Sequence, residues 1–266
     1  MSAALPVRQV AKPWGRDVLP APFLAPEGER IGEIWFEPPP ELPGLLVKYI
    51  FTSEKLSVQV HPSDAQRPGH GKEECWLIID AEPGASLGIG FREPLDAGEM
   101  RKAALGGSIE RLLEWHQVKA GDFFYIPANT VHAIGAGVSL IEVQQNSDVT
   151  YRLYDYGRPR ELHLDEGVAV ALGEPYAAGN RARAPLGEAV RLVDGPLFRL
   201  DQVTGAALAR IAADYERAPL LVIPRDDVAR VARQDIAPGQ CGLAQSIDEV
   251  VLSAQGTYLL AQPCTP

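Results

Sequence analysis

The strand-length apolar runs of this chain stop repeatedly at a proline or a glycine. There are 23 prolines and 25 glycines in 266 residues, and they bound runs such as Leu45 to Phe51, Leu56 to Val60 and Glu74 to Asp80. Proline removes a backbone donor and glycine permits tight turns, so a chain punctuated this way folds mainly as short strands. An apolar fraction of 46% supports a sizeable core.

Strands are predicted at Ile31 to Phe36, Leu45 to Phe51, Leu56 to Val60, Glu74 to Asp80, Ala85 to Phe91, Phe123 to Ile126, Val131 to Ile134, Val138 to Gln144 and Thr150 to Tyr154. Residues 96 to 115 change character. Ala97 to Leu105 reads as a short helix. A second follows Gly106-Gly107, capped by Ser108, with Ile109, Leu112 and Leu113 at helical spacing and His116 at its C-terminal end. Both are helices inserted into a β framework. Residues 173 to 189, rich in Ala, Gly, Pro and Arg, read as a linker or exposed excursion. More short strands follow from Val190 to Ala261. The expected division is a domain over residues 1–170 and a smaller β domain over residues 171–266. The latter contains no histidine, so its expected role is support.

The segment Leu56-Ser57-Val58-Gln59-Val60-His61-Pro62 carries the chemistry. Alternation along a strand puts Ser57, Gln59 and His61 on one face, and Leu56, Val58 and Val60 on the other. Glu74 shares a face with Trp76 and Ile78, where an isolated carboxylate is costly without a function. His132 follows the turn Ile126-Pro127-Ala128-Asn129. Gln59, His61, Glu74 and His132 together offer a borderline-hard donor set suited to zinc or another divalent metal, with positions left for water or substrate. Cys75 alternates away from that face. A net charge of -10 argues against nucleic acid and anionic membranes as partners. Three separated cysteines, no apolar run of spanning length and no signal-like N-terminus lead to the expectation of a cytoplasmic protein.

Several motifs in consistent order resemble the type I phosphomannose isomerases of the short bacterial kind. They are Leu56 to Pro62, Gly71-Lys72-Glu73-Glu74-Cys75-Trp76, Asp80 to Ala85, Gly121-Asp122, Ile126-Pro127 with Thr130 to Gly135, and Asn146-Ser147-Asp148 with Thr150 to Tyr156. The resemblance runs from about Trp14 to Leu164 and fades beyond. It implies an all-β cupin fold: a jelly-roll barrel with inserted short helices and a second, smaller, degenerate cupin-like β unit. It implies one Zn2+ per chain held by Gln59, His61, Glu74 and His132, with other divalent metals able to substitute. It implies Arg152 and Lys72 as catalytic and substrate-binding residues. Ser57, facing the same way as Gln59, is expected either to bind substrate through the phosphate or to serve as a plain barrel hydroxyl. Trp14, Glu33 and Trp35 match an N-terminal pattern and are expected in the wall or the core. The implied activity interconverts mannose 6-phosphate and fructose 6-phosphate through a cis-enediol, with a sugar phosphate as partner and a monomer or homodimer as the assembly. The large helical insertion and longer second half of bigger members have no counterpart here. A non-catalytic sugar-phosphate-binding or regulatory cupin, and a metal cupin enzyme acting on another sugar or on oxygen, remain the competing readings. His70 lies in the loop before Lys72, within possible reach of the pocket, and His163 reads as structural.

Overall fold

The computed structural model describes residues 3–215 and 217–264. The first strands are β1 (Val7–Arg16), β2 (Ile31–Phe36), β3 (Leu45–Phe51), β4 (Val58–Val60), β5 (Glu74–Ala81) and β6 (Ser86–Phe91). Helices α1 (Ala97–Leu105) and α2 (Ile109–Leu112) come next, then β7 (Leu113–Gln117), β8 (Asp122–Ile126), β9 (His132–Ile134), β10 (Val138–Gln145) and β11 (Tyr151–Tyr154). Helix α3 (Leu164–Val170) leads to β12 (Arg181–Arg183), β13 (Val190–Asp194) and β14 (Phe198–Thr204). The chain ends with α4 (Leu208–Ile211), β15 (Leu220–Pro224), β16 (Ala229–Val231), β17 (Gln234–Ile236), β18 (Gly242–Ala244), β19 (Val250–Leu252) and β20 (Thr257–Pro263).

These strands form antiparallel sheets stacked in layers. A seven-stranded sheet runs β1-β2-β3-β10-β5-β8-β12, and a five-stranded sheet β11-β4-β9-β6-β7 lies against one of its faces. A second five-stranded sheet, β13-β14-β20-β15-β18, and a three-stranded one, β17-β16-β19, complete the stack. Period-two alternation explains the order of layers. In β3, Leu45, Val47, Tyr49 and Phe51 face Phe198, Leu200, Leu221, Ile223 and Leu259 of the later sheet. Ile50 of the same strand joins Trp76, Ile78, Leu87, Ile89, Ile134 and Leu140 between the first two sheets. The large sheet is therefore buried on both faces, which is why every residue of β3 is buried. The outer face of the smaller sheet, with Val58, Val60, Val131, Ala133 and Leu153, is covered by Met100, Ala103 and Ile109 of the helical insertion.

Three local expectations need correction. His116 does not end a helix. At Leu113 the backbone turns extended (φ -63, ψ 147), and residues 113–117 pair with β6 as β7. Helical spacing of Ile109, Leu112 and Leu113 holds only until that register with Leu87 and Gly88 takes over. Ser108 precedes α2 but its side chain makes no cap bond; the capping box sits instead on α1, between Asp96 and Glu99. Residues 173 to 189 are not simply a linker, because Arg181–Arg183 add an edge strand to β8. Strand β1 was not foreseen; Pro13 and exposed polar residues hide its pairing with β2. No helix among the described residues is long and apolar enough to cross a membrane.

Candidate metal and sugar-phosphate site

Three strands bring the four donor residues together. Gln59 on β4 is the cross-strand partner of His132 on β9. His61 follows β4 directly, and Glu74 opens β5 on the facing sheet. His61, Glu74 and His132 are buried, and one ligand atom from each lies within 4.8 Å of the others. His132 Nε2 is 3.4 Å from Glu74 Oε1 and His61 Nε2 is 3.7 Å from Glu74 Oε2. His61 Nδ1 donates to the Val149 carbonyl at 2.8 Å, and His132 Nδ1 donates to the Thr130 carbonyl at 2.9 Å. A carbonyl can only accept, so both rings carry their proton on Nδ1 and turn unprotonated Nε2 atoms toward Glu74, the His61 nitrogen accepting from Lys72 Nζ at 3.3 Å.

The electrostatics agree with ligation. Burial, then Lys72 and the facing His132, holds His61 well below the ordinary imidazole range. Burial likewise lowers His132. Both are neutral, as ligands must be. Burial works against the Glu74 carboxylate, but Lys72 and the neighbouring cations outweigh it and its pKa is lowered. Lys72 Nζ stands 2.6 Å from Glu74 Oε2. Even so, neither Glu74 oxygen accepts a well-directed hydrogen bond. A fully buried carboxylate that is ion-paired to Lys72 yet accepts no well-directed hydrogen bond, and that faces two unprotonated imidazole nitrogens, fits a divalent metal. Gln59 stands beside this cluster. Its Nε2 donates to His132 Nε2 at 3.2 Å, while its Oε1 accepts from Ser57 Oγ at 3.0 Å. Rotating the amide by half a turn would present the oxygen to the same point.

Gln59 and Lys72 also line a cavity of about 220 Å³ between the two sheets. Its walls include Ser57, Trp76, Glu142, Asp148, Arg152 and Arg160. Trp14, Glu33 and Trp35 line it too, so the N-terminal pattern supplies wall, with Trp14 also packed in the core between the sheets. Arg152 stands opposite Gln59 in the β4–β11 register. Its guanidinium makes no ion pair among the described residues, and burial together with the like charge of Arg160 lowers its pKa. Arg160, by contrast, is gripped by Asp155 at 2.6 and 2.7 Å. A half-buried cation without a counterion calls for an anion.

Two wall residues escaped the reading of the sequence. Lys48 is buried in β3, 3.2 Å from Glu142 Oε1 and 2.6 Å from Gln144 Oε1. Glu142 in turn lies 3.8 Å from Lys72 and accepts from Trp76 Nε1. The signal was present: one charge inside each of two apolar strands, Leu45 to Phe51 and Val138 to Val143. Burial and two acidic neighbours act in opposite senses on Lys72, and Glu142 and Glu74 prevail, so its pKa is raised. His70 is exposed and does not line the cavity. Cys75 points into the opposite core. His163 lies at the start of α3, against Arg152.

No family model matches the chain. It is 39% identical over 185 residues to "Mannose-6-phosphate isomerase" of Streptococcus mutans, a match covering 64% of this chain and 58% of that one. The chain thus spans little more than half the length of this curated relative. Among solved structures, the mannose 6-phosphate isomerase of Bacillus subtilis superposes with a TM-score of 0.75 at 22% identity, over 98% of this chain and 100% of the other. A zinc-bound mannose 6-phosphate isomerase superposes with a TM-score of 0.71 at 15% identity, over 99% and 100%. At such identities these two likenesses establish the fold, which is of the cupin type found in that group.

Proposed function

The chain is a relative of the type I phosphomannose isomerases, and from that premise we propose that it interconverts mannose 6-phosphate and fructose 6-phosphate. The observation that carries the proposal is the His61–Glu74–His132 cluster. It is screened by Gln59 and Lys72 from a cavity in which Arg152 has no counterion among the described residues. Residues 1–170 would carry the chemistry, and residues 171–266 would support the sheet from behind.

His61, Glu74 and His132, with Gln59 after its amide rotates, would hold one zinc ion. Bound there, zinc would supply positive charge to polarise the sugar's carbonyl oxygen. The rest is the work of the chain's own side chains. Aldose–ketose isomerisation moves a proton between C1 and C2 while negative charge gathers on O1 and O2. Lys72, kept protonated by Glu142 and Glu74, donates a hydrogen bond toward those oxygens. Arg152 offers a planar fork to the developing enediolate or to the phosphate. Ser57 is positioned on the same face and can turn its hydroxyl from Gln59 to a phosphate oxygen. Trp76 and Leu56 close the dry side of the cavity.

The test is a coupled assay on mannose 6-phosphate, run after chelation and again after adding zinc back. Turnover that is lost to chelator and restored by zinc is expected. Tight binding of mannose 6-phosphate without turnover would instead identify a regulatory cupin. Oxygen consumption with redox-active iron would identify an oxygenase.

A further inference from the structure

Arg152 sits on β11, a strand of four residues at the outer edge of its sheet. Edge strands lack a ladder on one side, and their ends fray. Among the described residues no carboxylate pairs with the guanidinium to fix its direction. Its aim must come from the backbone. The β4–β11 register breaks just after Arg152, between Arg152 and Tyr154, and such an irregularity re-aims a side chain.

His163 takes both outward-facing backbone groups of Arg152. Its own N–H donates to the Arg152 carbonyl at 2.8 Å. Its ring Nδ1 accepts from the Arg152 N–H at 3.3 Å. One residue therefore does what a neighbouring strand would do, closing a two-bond ring on a single position. The His163 ring also lies 6.2 Å from the Tyr151 ring, whose hydroxyl accepts from Arg67 at 3.0 Å. The His163 carbonyl accepts from the Gly167 N–H in the first turn of α3. The row His163, Arg152, Gln59 and His132 thus runs from a helix start, across the sheet, to the metal cluster.

We propose that His163 is a positioning residue for the isomerisation, holding Arg152 on target through the Nδ1 bond to its backbone N–H. This rests on the reading of the cavity as the isomerase site. The acceptor is what matters, and asparagine can place Oδ1 where histidine places Nδ1, whereas phenylalanine fills the space without accepting. Three proteins test it: wild type, His163→Asn and His163→Phe. In His163→Phe, kcat/KM for mannose 6-phosphate should fall about tenfold, the worth of roughly one hydrogen bond. In His163→Asn it should recover to within about threefold of wild type. In an Arg152→Ala background, His163→Phe should have no further effect, because its action passes through Arg152. Amide exchange adds a readout independent of turnover: the Arg152 N–H should exchange faster in His163→Phe only. If wild type turns over and both variants match it, with Arg152 exchange unchanged, the positioning role is wrong. A fall in His163→Asn as deep as that in His163→Phe would overturn it equally. If wild type itself does not isomerise mannose 6-phosphate, the underlying reading fails instead, and the exchange measurement still decides whether His163 restrains Arg152.

Discussion

Replacing Lys72 with methionine separates the two roles of its charge. The ammonium is nearly buried and stands 2.6 Å from a Glu74 oxygen that is itself buried. Methionine keeps the unbranched stem and removes the charge. Glu142 keeps Lys48 at 3.2 Å, so only Glu74 is orphaned. At a separation near 4 Å and an effective dielectric near 20, a pair is worth about 4 kcal/mol; breaking a buried pair by removing one partner costs about 3–5 kcal/mol. At about 2–4 °C per kcal/mol for a chain of this size, the metal-free variant should melt roughly 10 °C below wild type. A divalent ion between His61, Glu74 and His132 would supply the missing positive charge. The loss should therefore shrink to a few degrees in saturating zinc, and the variant should bind zinc more tightly because a repelling cation is gone. The assay is thermal unfolding of both proteins, with chelator and with a zinc titration. Equal melting of the two metal-free proteins would refute the reasoning. So would zinc stabilising wild type as much as the variant.

Other expectations follow from the same geometry. His132→Ala removes a proposed ligand and one bond to the Thr130 carbonyl while leaving the backbone pairing of β9 in place; zinc content by elemental analysis should fall to background, isomerase turnover should vanish, and far-ultraviolet dichroism should stay that of the wild type. In the metal-free protein, His61 and His132 are both held below the ordinary imidazole value of 6.5. Below about pH 6.5 the unfolded chain takes up protons that the folded chain refuses, so stability is full above that pH and falls beneath it, by up to about 1.4 kcal/mol per pH unit for each ring. The lowered Glu74 acts in the same sense, its contribution present above its ordinary value of 4.5 and lost as the pH drops further. Denaturant midpoints in chelator at pH 7.5 and 5.5 check this, and an unchanged midpoint would contradict two neutral, Nδ1-protonated rings.

What was legible in the sequence was local. The alternation needed only a two-residue period, and over Val58 to His61 it holds: His61 joins Glu74 and His132, Gln59 stands beside them, and Val58 and Val60 lie in the helix-covered core. Leu56, expected on the face of Val58 and Val60, instead lines the cavity, because it precedes the strand. Glu74 was legible because alternation aligned it with Trp76 and Ile78 in an apolar setting. His116 was misplaced because a helical repeat and the strand that follows it share Leu113, and only pairing with Leu87 decides between them. Lys48 and Glu142 were visible as odd charges, but their meaning depends on register. They face each other across β3 and β10, a fact about residues 94 positions apart. The grip of Asp155 on Arg160, which leaves the neighbouring Arg152 with no ion pair among the described residues, is likewise a property of the folded loop.

The two-sided burial of the large sheet leaves this molecule without a seam. Severing the polypeptide after residue 170 would bare Leu45, Val47, Tyr49, Phe51, Leu77, Phe123, Ile141 and Val143 at once, an oily slab of the kind that drives aggregation. The same β5 that brings Glu74 to His61 and His132 lends Cys75 and Leu77 to the far packing. A protein engineer trimming the C-terminal half would thus be loosening the floor of the candidate site from below, and any shift in that distant packing would be felt at His61, Glu74 and His132.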